Sequence, residues 1–396
     1  MNSKTLLKNA KVITPNQILE QGFVLVEDGK ISAVEAGNPE ISDAEVIDVE
    51  GQYVSPGFID IHLHGGGGFD FMDGTVEAFL GIAETHARYG TTAMLPTTLT
   101  CEKEDLIKTL EAYQTADKIN TNGAQFIGMH LEGPYFAMSQ RGAQDPKFIK
   151  NPDPEDYHEI IRNYPFIKRW SAAPELPGAI EFGKTLVQNG ILAAIAHTDA
   201  IYEEALEAWE NGYSLATHFY SAMSGVSRRN AYRYAGVVEA AYLIDDMDVE
   251  IIADGVHLPA PLLQLIHKIK GPAKTALITD AMRAAAMPEG ESVLGSYKNG
   301  TRVIVEDGVA KMPDRKAFAG SVATFDRLIR TMLKMGKVSL LEAIQMASLT
   351  PARIMKIDDR KGSLAVGKDA DLVIFDEEIN VKLTMVGGRI VRISRD

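Results

Sequence analysis

From Phe58 to Thr279 the chain repeats one rhythm, a short apolar strand, a loop and a helix-like stretch. The strand segments are Phe58–His62, Thr92–Leu95, Gln125–His130, Lys168–Ala172, Leu192–Ala196, Ser214–Thr217, Val249–Ala253 and Lys274–Thr279. Between them lie Thr75–Tyr89, Glu102–Ala116, Ala179–Asn189, Tyr202–Asn211 and Leu262–Ile269, with helical character. Strands joined through crossover helices pair in parallel. Eight such units predict an α/β fold, a (β/α)8 TIM-like barrel. The doubly wound alternative lacks its mark, because no Gly-x-Gly-x-x-Gly follows a strand.

The ends of the chain read differently. Leu6 to Thr14 and Ala44 to Tyr53 are strand-like, and Gly22–Val26 and Lys30–Val34 flank an Asp28-Gly29 hairpin turn. Asp371–Phe375, Val381–Met385 and Arg389–Ile393 are strands again. The expected domains are therefore a small β-sandwich built from both termini (1–55 and 360–396) and a catalytic barrel over 56–359. Strands and turns at about 288–316 read as an insertion after the eighth strand, and helices resume at Asp326–Met335 and Leu340–Ser348.

Barrel enzymes carry their chemistry where strands end and βα loops begin. Here those ends read His62-Leu63-His64, His130-Leu131-Glu132, His197-Thr198-Asp199, Thr217-His218, Asp254-Gly255-Val256-His257 and Thr279-Asp280. Of nine histidines only His86, His158 and His267 fall in helix-like segments. Residues i and i+2 of a strand share a face, so His62 and His64 can reach one point. The four glycines that follow them allow a sharp turn and a close approach. Convergent histidines and carboxylates imply a divalent metal, and such N/O ligands suit zinc, iron or manganese. His130 is expected to orient Glu132 rather than ligate. Asp199 is expected to cap a helix starting near Ala200. Asp254 either shapes its Asp-Gly turn or serves the site. Asp280 sits among apolar neighbours, where a carboxylate is costly unless paired or metal-bound.

A net charge of −14 argues against a nucleic-acid partner. The single cysteine, Cys101, allows no intrachain disulfide and fits a reducing compartment. No signal-peptide core and no run of about 18 apolar residues is present, so a cytoplasmic protein without a membrane span is expected.

The whole chain resembles the amidohydrolase superfamily and, within it, the N-acetylglucosamine-6-phosphate deacetylase family. The resemblance rests on Pro56-Gly57-Phe58-Ile59-Asp60-Ile61-His62-Leu63-His64-Gly65, His130-Leu131-Glu132-Gly133-Pro134, His197-Thr198-Asp199-Ala200 and Thr217-His218-Phe219-Tyr220-Ser221-Ala222-Met223. It also rests on Ala253-Asp254-Gly255-Val256-His257, Thr279-Asp280-Ala281-Met282-Arg283 and Ala319-Gly320-Ser321. Many superfamily members bridge two metals with a carboxylated lysine at the end of strand four. Strand four here ends Ser171-Ala172-Ala173-Pro174-Glu175, so Glu132 can take that role.

The resemblance implies that Glu132, His197 and His218 hold a main metal, and that His62, His64 and Asp280 hold a second. One or two ions per chain are implied, two being favoured, about 3.5–4 Å apart. It makes Asp280 the acid–base group and His257 the group that holds the carbonyl oxygen or the sugar. Arg229, in Ser227-Arg228-Arg229-Asn230-Ala231-Tyr232-Arg233, falls at the phosphate position. Ala143, Gln144, Ser221, Ala222, Ala319 and Gly320 fall at sugar-contacting positions. The implied reaction is hydrolysis of the acetamide of a phosphorylated amino sugar by a homodimer. The alternative is an amidohydrolase of another N-acyl or cyclic amide. Two departures bear on sugar preference: Asn is usual where Ser221 stands, and some members carry His where Gln144 stands.

Overall fold

The computed structural model describes residues 4–393. All eight expected strand segments form. Phe58–Leu63, Thr91–Pro96 and Gln125–Phe126 make one parallel sheet. Met129–Glu132, Ile167–Ala172, Leu192–Ile195, Tyr213–Ala216, Asp248–Ile252 and Thr275–Ile278 make a second, also parallel throughout. The third expected strand is split at Gly128, whose φ of 123° lies outside the reach of an ordinary strand residue. A parallel bridge between Thr97 and His130 connects the two sheets.

Buried polar contacts join the first strand to the last. Thr279 Oγ1 donates to Asp60 Oδ2 at 2.5 Å, and Asp280 N–H donates to His62 O at 2.9 Å. The parallel strands therefore curl until the first and eighth segments lie against each other. Alternate residues on one strand face, including Ile59/Ile61, Ala93/Leu95 and Ala276/Ile278, pack into one apolar cluster. The opposite face packs on helices through residues such as Phe58, Trp170, Phe182 and Phe325. Burial on both sides explains why the strands read as near-continuous apolar runs.

The expected helices form as Val76–Ala87, Lys103–Ile119, Ala179–Gln188, Tyr202–Glu210 and Ala260–Lys270. Pro154–Asn163 and Val237–Leu243 are further helices that periodicity did not bring out. Asp153 caps the first of them by accepting from Glu155 N–H, with Pro154 at its opening position. Among the described residues no helix is long and apolar enough to cross a membrane.

Both ends of the chain contribute to one eight-stranded sheet. Tyr53–Pro56 pairs with Leu372–Phe375 on one side and with Lys4–Ile13 on the other. The Asp28-Gly29 turn forms with both residues at positive φ (49° and 78°), as a two-residue hairpin loop requires. The insertion is a four-stranded antiparallel sheet, Gly290–Leu294, Thr301–Glu306, Val309–Lys311 and Phe318–Ser321. Its last strand runs past the expected limit at 316. That strand returns to the strand ends, where Ser321 N–H donates to Asp280 O at 2.8 Å.

Candidate metal centre and substrate cavity

His62, His64, Glu132, His197, His218 and Asp280 come together at the ends of the parallel strands, all buried. The first strand runs straight into Gly65, where any Cβ would lie 2.3 Å from Phe69 O. Only glycine fits a turn this close. His197, His218 and Asp280 adopt positive φ (48°, 31° and 46°), which is rare and costly for such residues. The strain turns these side chains into the space at the strand ends.

The histidines are oriented from behind. His197 Nδ1 bonds Gln140 O at 2.8 Å, His218 Nδ1 bonds Ser221 O at 3.1 Å, and His64 Nδ1 bonds Thr97 O at 3.3 Å. A carbonyl accepts, so in each ring the proton sits on Nδ1 and the Nε2 lone pair points inward. Those lone pairs converge. His218 Nε2 lies 3.1 Å from Glu132 Oε1 and 3.2 Å from His197 Nε2. His64 Nε2 lies 3.5 Å from Glu132 Oε2 and 3.2 Å from Asp280 Oδ1. His62 Nε2 lies 3.4 Å from Glu132 Oε1, and neither of its ring nitrogens has a hydrogen-bond partner. Lone pairs and carboxylate oxygens facing one another repel unless a cation lies between them. Two ligand groups result, His62/His64/Glu132 and Glu132/His197/His218, with Glu132 common to both. The donor set fits a divalent metal.

The electrostatics agree. Burial opposes ionisation of Glu132, yet His62, His197 and His218 hold its carboxyl well below the usual carboxylate range. Burial also opposes the charge on His62, but Glu132, Glu250 and Asp280 push it up to about 10. Burial likewise works against Asp280, whose carboxyl the neighbouring His64, His62 and His218 nonetheless hold low. The cluster is rich in negative charge and draws positive charge in.

His130 stands apart from the ligands, and its ring nitrogens are taken by Ser171 and Thr97 rather than by the Glu132 carboxylate it was expected to orient. Its Nε2 bonds Ser171 Oγ at 2.7 Å and its Nδ1 bonds Thr97 Oγ1 at 3.2 Å, outside both ligand groups. Asp254 shapes its turn and also reaches the His257 side chain. It accepts from Val256 N–H and His257 N–H, and its Oδ2 holds His257 Nδ1 at 2.8 Å. The helix-cap expectation for Asp199 is overturned. The following helix begins at Tyr202 and is closed by Glu204, which accepts from Ile201 N–H. Asp199 instead accepts from Gln140 Nε2 at 2.6 Å and from Ser139, tying down the loop that carries Gln140 O.

A cavity of about 430 Å³ opens over this cluster. Ala143, Gln144, Ser221, Ala222, His257 and Gly320 line it. Ala319 does not; it is fully buried in the apolar core of the insertion. Gln144 reaches the wall with its amide already engaged: Nε2 donates to Glu132 Oε2 at 2.8 Å, and Oε1 accepts from Thr100. Arg229 is exposed on a short hairpin, Ser227–Arg229 with Tyr232–Tyr234, and is not part of this wall. The cation that does line it is Lys316, from the insertion. Nothing in the motif pattern marked Lys316, because only the folded insertion carries it there. Also unread were Arg169 and Glu250, fully buried and ion-paired beneath His62. The sequence signal was clear only for Glu250, a charge beside Val249, Ile251 and Ile252; Arg169 stands next to Lys168 in a mixed strand.

The Amidohydrolase family profile matches residues 53–391. The N-acetylglucosamine-6-phosphate deacetylase of Bacillus subtilis (strain 168) is 33% identical, covering 100% of this chain and 99% of its own. That of Haemophilus influenzae is 34% identical, with 98% and 99% covered. Among solved structures, a mutant N-acetyl-D-glucosamine-6-phosphate deacetylase from Mycobacterium smegmatis, in complex with N-acetyl-D-glucosamine-6-phosphate, superposes with a TM-score of 0.89. It is 30% identical, with 98% of this chain and 99% of that chain covered. The chain belongs to the amidohydrolase family, in the branch of the N-acetylglucosamine-6-phosphate deacetylases.

Proposed function

We propose that the chain hydrolyses the acetamide of N-acetylglucosamine 6-phosphate, giving glucosamine 6-phosphate and acetate. The observation that carries this is the convergence of inward-facing imidazole lone pairs on Glu132 beneath a sugar-sized cavity. The residues suit two divalent ions, zinc, iron or manganese: Glu132, His197 and His218 for the main one, His62, His64 and Asp280 for the second. When bound, such an ion supplies Lewis acidity and lowers the pKa of water.

The protein groups divide the remaining work. Asp280 takes a proton from the attacking water as the new C–O bond forms. It returns that proton to the nitrogen as the C–N bond breaks, so the amine leaves neutral. His257, whose Nδ1 donates to Asp254, accepts from a sugar hydroxyl at Nε2, or holds the carbonyl oxygen when that nitrogen also carries a proton. Ala143, Gln144, Ser221, Ala222, Ala319 and Gly320 shape the sugar site, Ala319 from behind the wall. Lys316 offers a cation for the phosphate within the same chain. In a homodimer the exposed Arg229 hairpin would complete the neighbour's phosphate site.

For the architecture, we read the curled strands as a closed (β/α)8 barrel over 56–359. The terminal segments, 1–55 with 360–396, are read as one small β-sandwich domain, supported by the apolar core that the described strands share. A single cysteine and a phosphorylated substrate support a cytoplasmic setting for the reaction. Acetate release from N-acetylglucosamine 6-phosphate, its C4 epimer, the unphosphorylated sugar and N-acetyl amino acids tests the reading. Preference for the phosphorylated glucosamine is expected. Equal rates with and without phosphate would sink it.

A further inference from the structure

We propose that Glu250, braced by Arg169, is the positioning residue that makes His62 a metal ligand and thereby sets occupancy of the second ion site; this rests on the two-ion reading above. His197, His218 and His64 each fix their Nδ1 proton on a backbone carbonyl. His62 has no such carbonyl. The acceptor facing its Nδ1 is Glu250 Oε2, at 3.7 Å. A ligating histidine gives its far N–H to a carboxylate or carbonyl, which fixes the tautomer and raises the basicity of the ligating nitrogen. At 3.7 Å the contact is longer than a hydrogen bond, so ligation through Nε2 and tightening toward Glu250 go together.

The carboxylate is held ready for this. Glu250 and Arg169 are both fully buried and form a bidentate pair, with Arg169 Nη2 2.8 Å from Glu250 Oε2. The guanidinium also donates to Ile61 O at 3.1 Å and to Thr217 Oγ1 at 2.7 Å. Those residues immediately precede His62 and His218. Glu250 O accepts from Phe219 N–H at 2.7 Å, directly after His218. The pair thus touches the backbone or side chains flanking a ligand of each ion. Arg169 also neutralises Glu250, so the acceptor does not compete with Glu132 for the ion.

A purely structural role explains this poorly. Buried ion pairs give little net stability against apolar side chains of similar volume. Arg169 and Glu250 come from strands separated by two others, Leu192–Ile195 and Tyr213–Ala216, and meet at a point where the carboxylate faces a ligand's far nitrogen.

Calorimetric titration of metal-free protein with zinc chloride tests the inference, without reference to turnover. The parent is expected to bind two equivalents. Arg169→Met/Glu250→Leu should keep the first within about threefold and weaken the second 10–100-fold. Glu250→Gln, which preserves shape, should weaken the second about tenfold. A first equivalent bound with parental affinity reports an intact fold. Second-site affinity within twofold of the parent in both variants would overturn the inference. Loss of both equivalents together from both variants would also overturn it, in favour of a structural pair. A parent that binds only one ion would instead remove the two-ion reading beneath it.

Discussion

Gln144 Nε2 donates to Glu132 Oε2 at 2.8 Å, while Glu132 Oε1 faces His218 Nε2 at 3.1 Å and His197 Nε2 at 3.4 Å. One oxygen of the shared carboxylate is thus steered by an amide that is itself fixed by Thr100. Gln144→Ala should therefore weaken binding of the main metal by 10–100-fold. It should lower kcat more than it raises KM. Metal titration alongside steady-state kinetics checks both; a pure KM effect would return Gln144 to a sugar contact.

Asp280→Asn keeps the shape of the site and removes the proton acceptor. Turnover should fall about 10²–10⁴-fold, the span of general acid–base catalysis. The main metal should stay bound, because Glu132, His197 and His218 remain. Parental turnover in a metal-loaded Asp280→Asn protein would relocate the chemistry.

His86 supports the glycine turn after His64, with Nε2 on Gly65 O at 2.9 Å. Burial lowers its pKa to about 4, from 6.5 in the free side chain. Between those values the unfolded chain takes up a proton that the folded protein refuses. The contribution to stability is complete above pH 6.5 and is lost as pH falls to about 4, a change of roughly 3 kcal/mol. His86→Gln retains a donor for Gly65 O and should flatten that part of the profile. Urea unfolding of both proteins between pH 7 and pH 4.5 makes the comparison; parallel profiles would contradict it.

Residues whose role depends on local chain geometry were legible in the sequence. The His62-x-His64 spacing, the strand-end histidines and Asp280 among apolar neighbours all state their position directly. Residues placed by long-range packing were not. Lys316 reaches the cavity only because the insertion's last strand returns to Asp280, over a span no local pattern encodes. Asp199 looked like a cap because Asp favours that position, yet Ser139 and Gln140 offered it better partners. The Gly128 break shows the same limit for the fold, since Phe166 and Lys168 crowd that position. The Pro154–Asn163 helix is different, because the Asp153 cap and Pro154 are local signals that the strand–helix rhythm passed over.

Arg283 bolts the insertion to the first strand's loop. It forms a bidentate pair with Asp73 at 2.8 and 2.9 Å and donates to Gly68 O and Gly295 O. The Tyr297 ring lies 3.7 Å from the guanidinium carbon. Arg283→Met leaves Asp73 unpaired and should cost about 3 kcal/mol. Denaturant unfolding measures this; a loss under about 0.5 kcal/mol, the scale of an ordinary surface substitution, would show the latch to be dispensable.

Lys316 and Arg229 offer cations from different places. Lys316→Ala should raise KM for the phosphorylated sugar about tenfold, with little effect on kcat, if the phosphate supplies uniform binding. Arg229→Ala should do the same. The test of geometry is a mixture of inactive Asp280→Asn chains and Arg229→Ala chains. Regain of the parental KM in mixed dimers shows that Arg229 acts across subunits; no regain confines it to its own chain.

The most direct measurement follows acetate release from N-acetylglucosamine 6-phosphate by protein stripped of metal and then reloaded stepwise, with ions per chain counted at each step. The account predicts no turnover in stripped protein, recovery with the first ions bound, and saturation at two per chain. Full activity in stripped protein would contradict it.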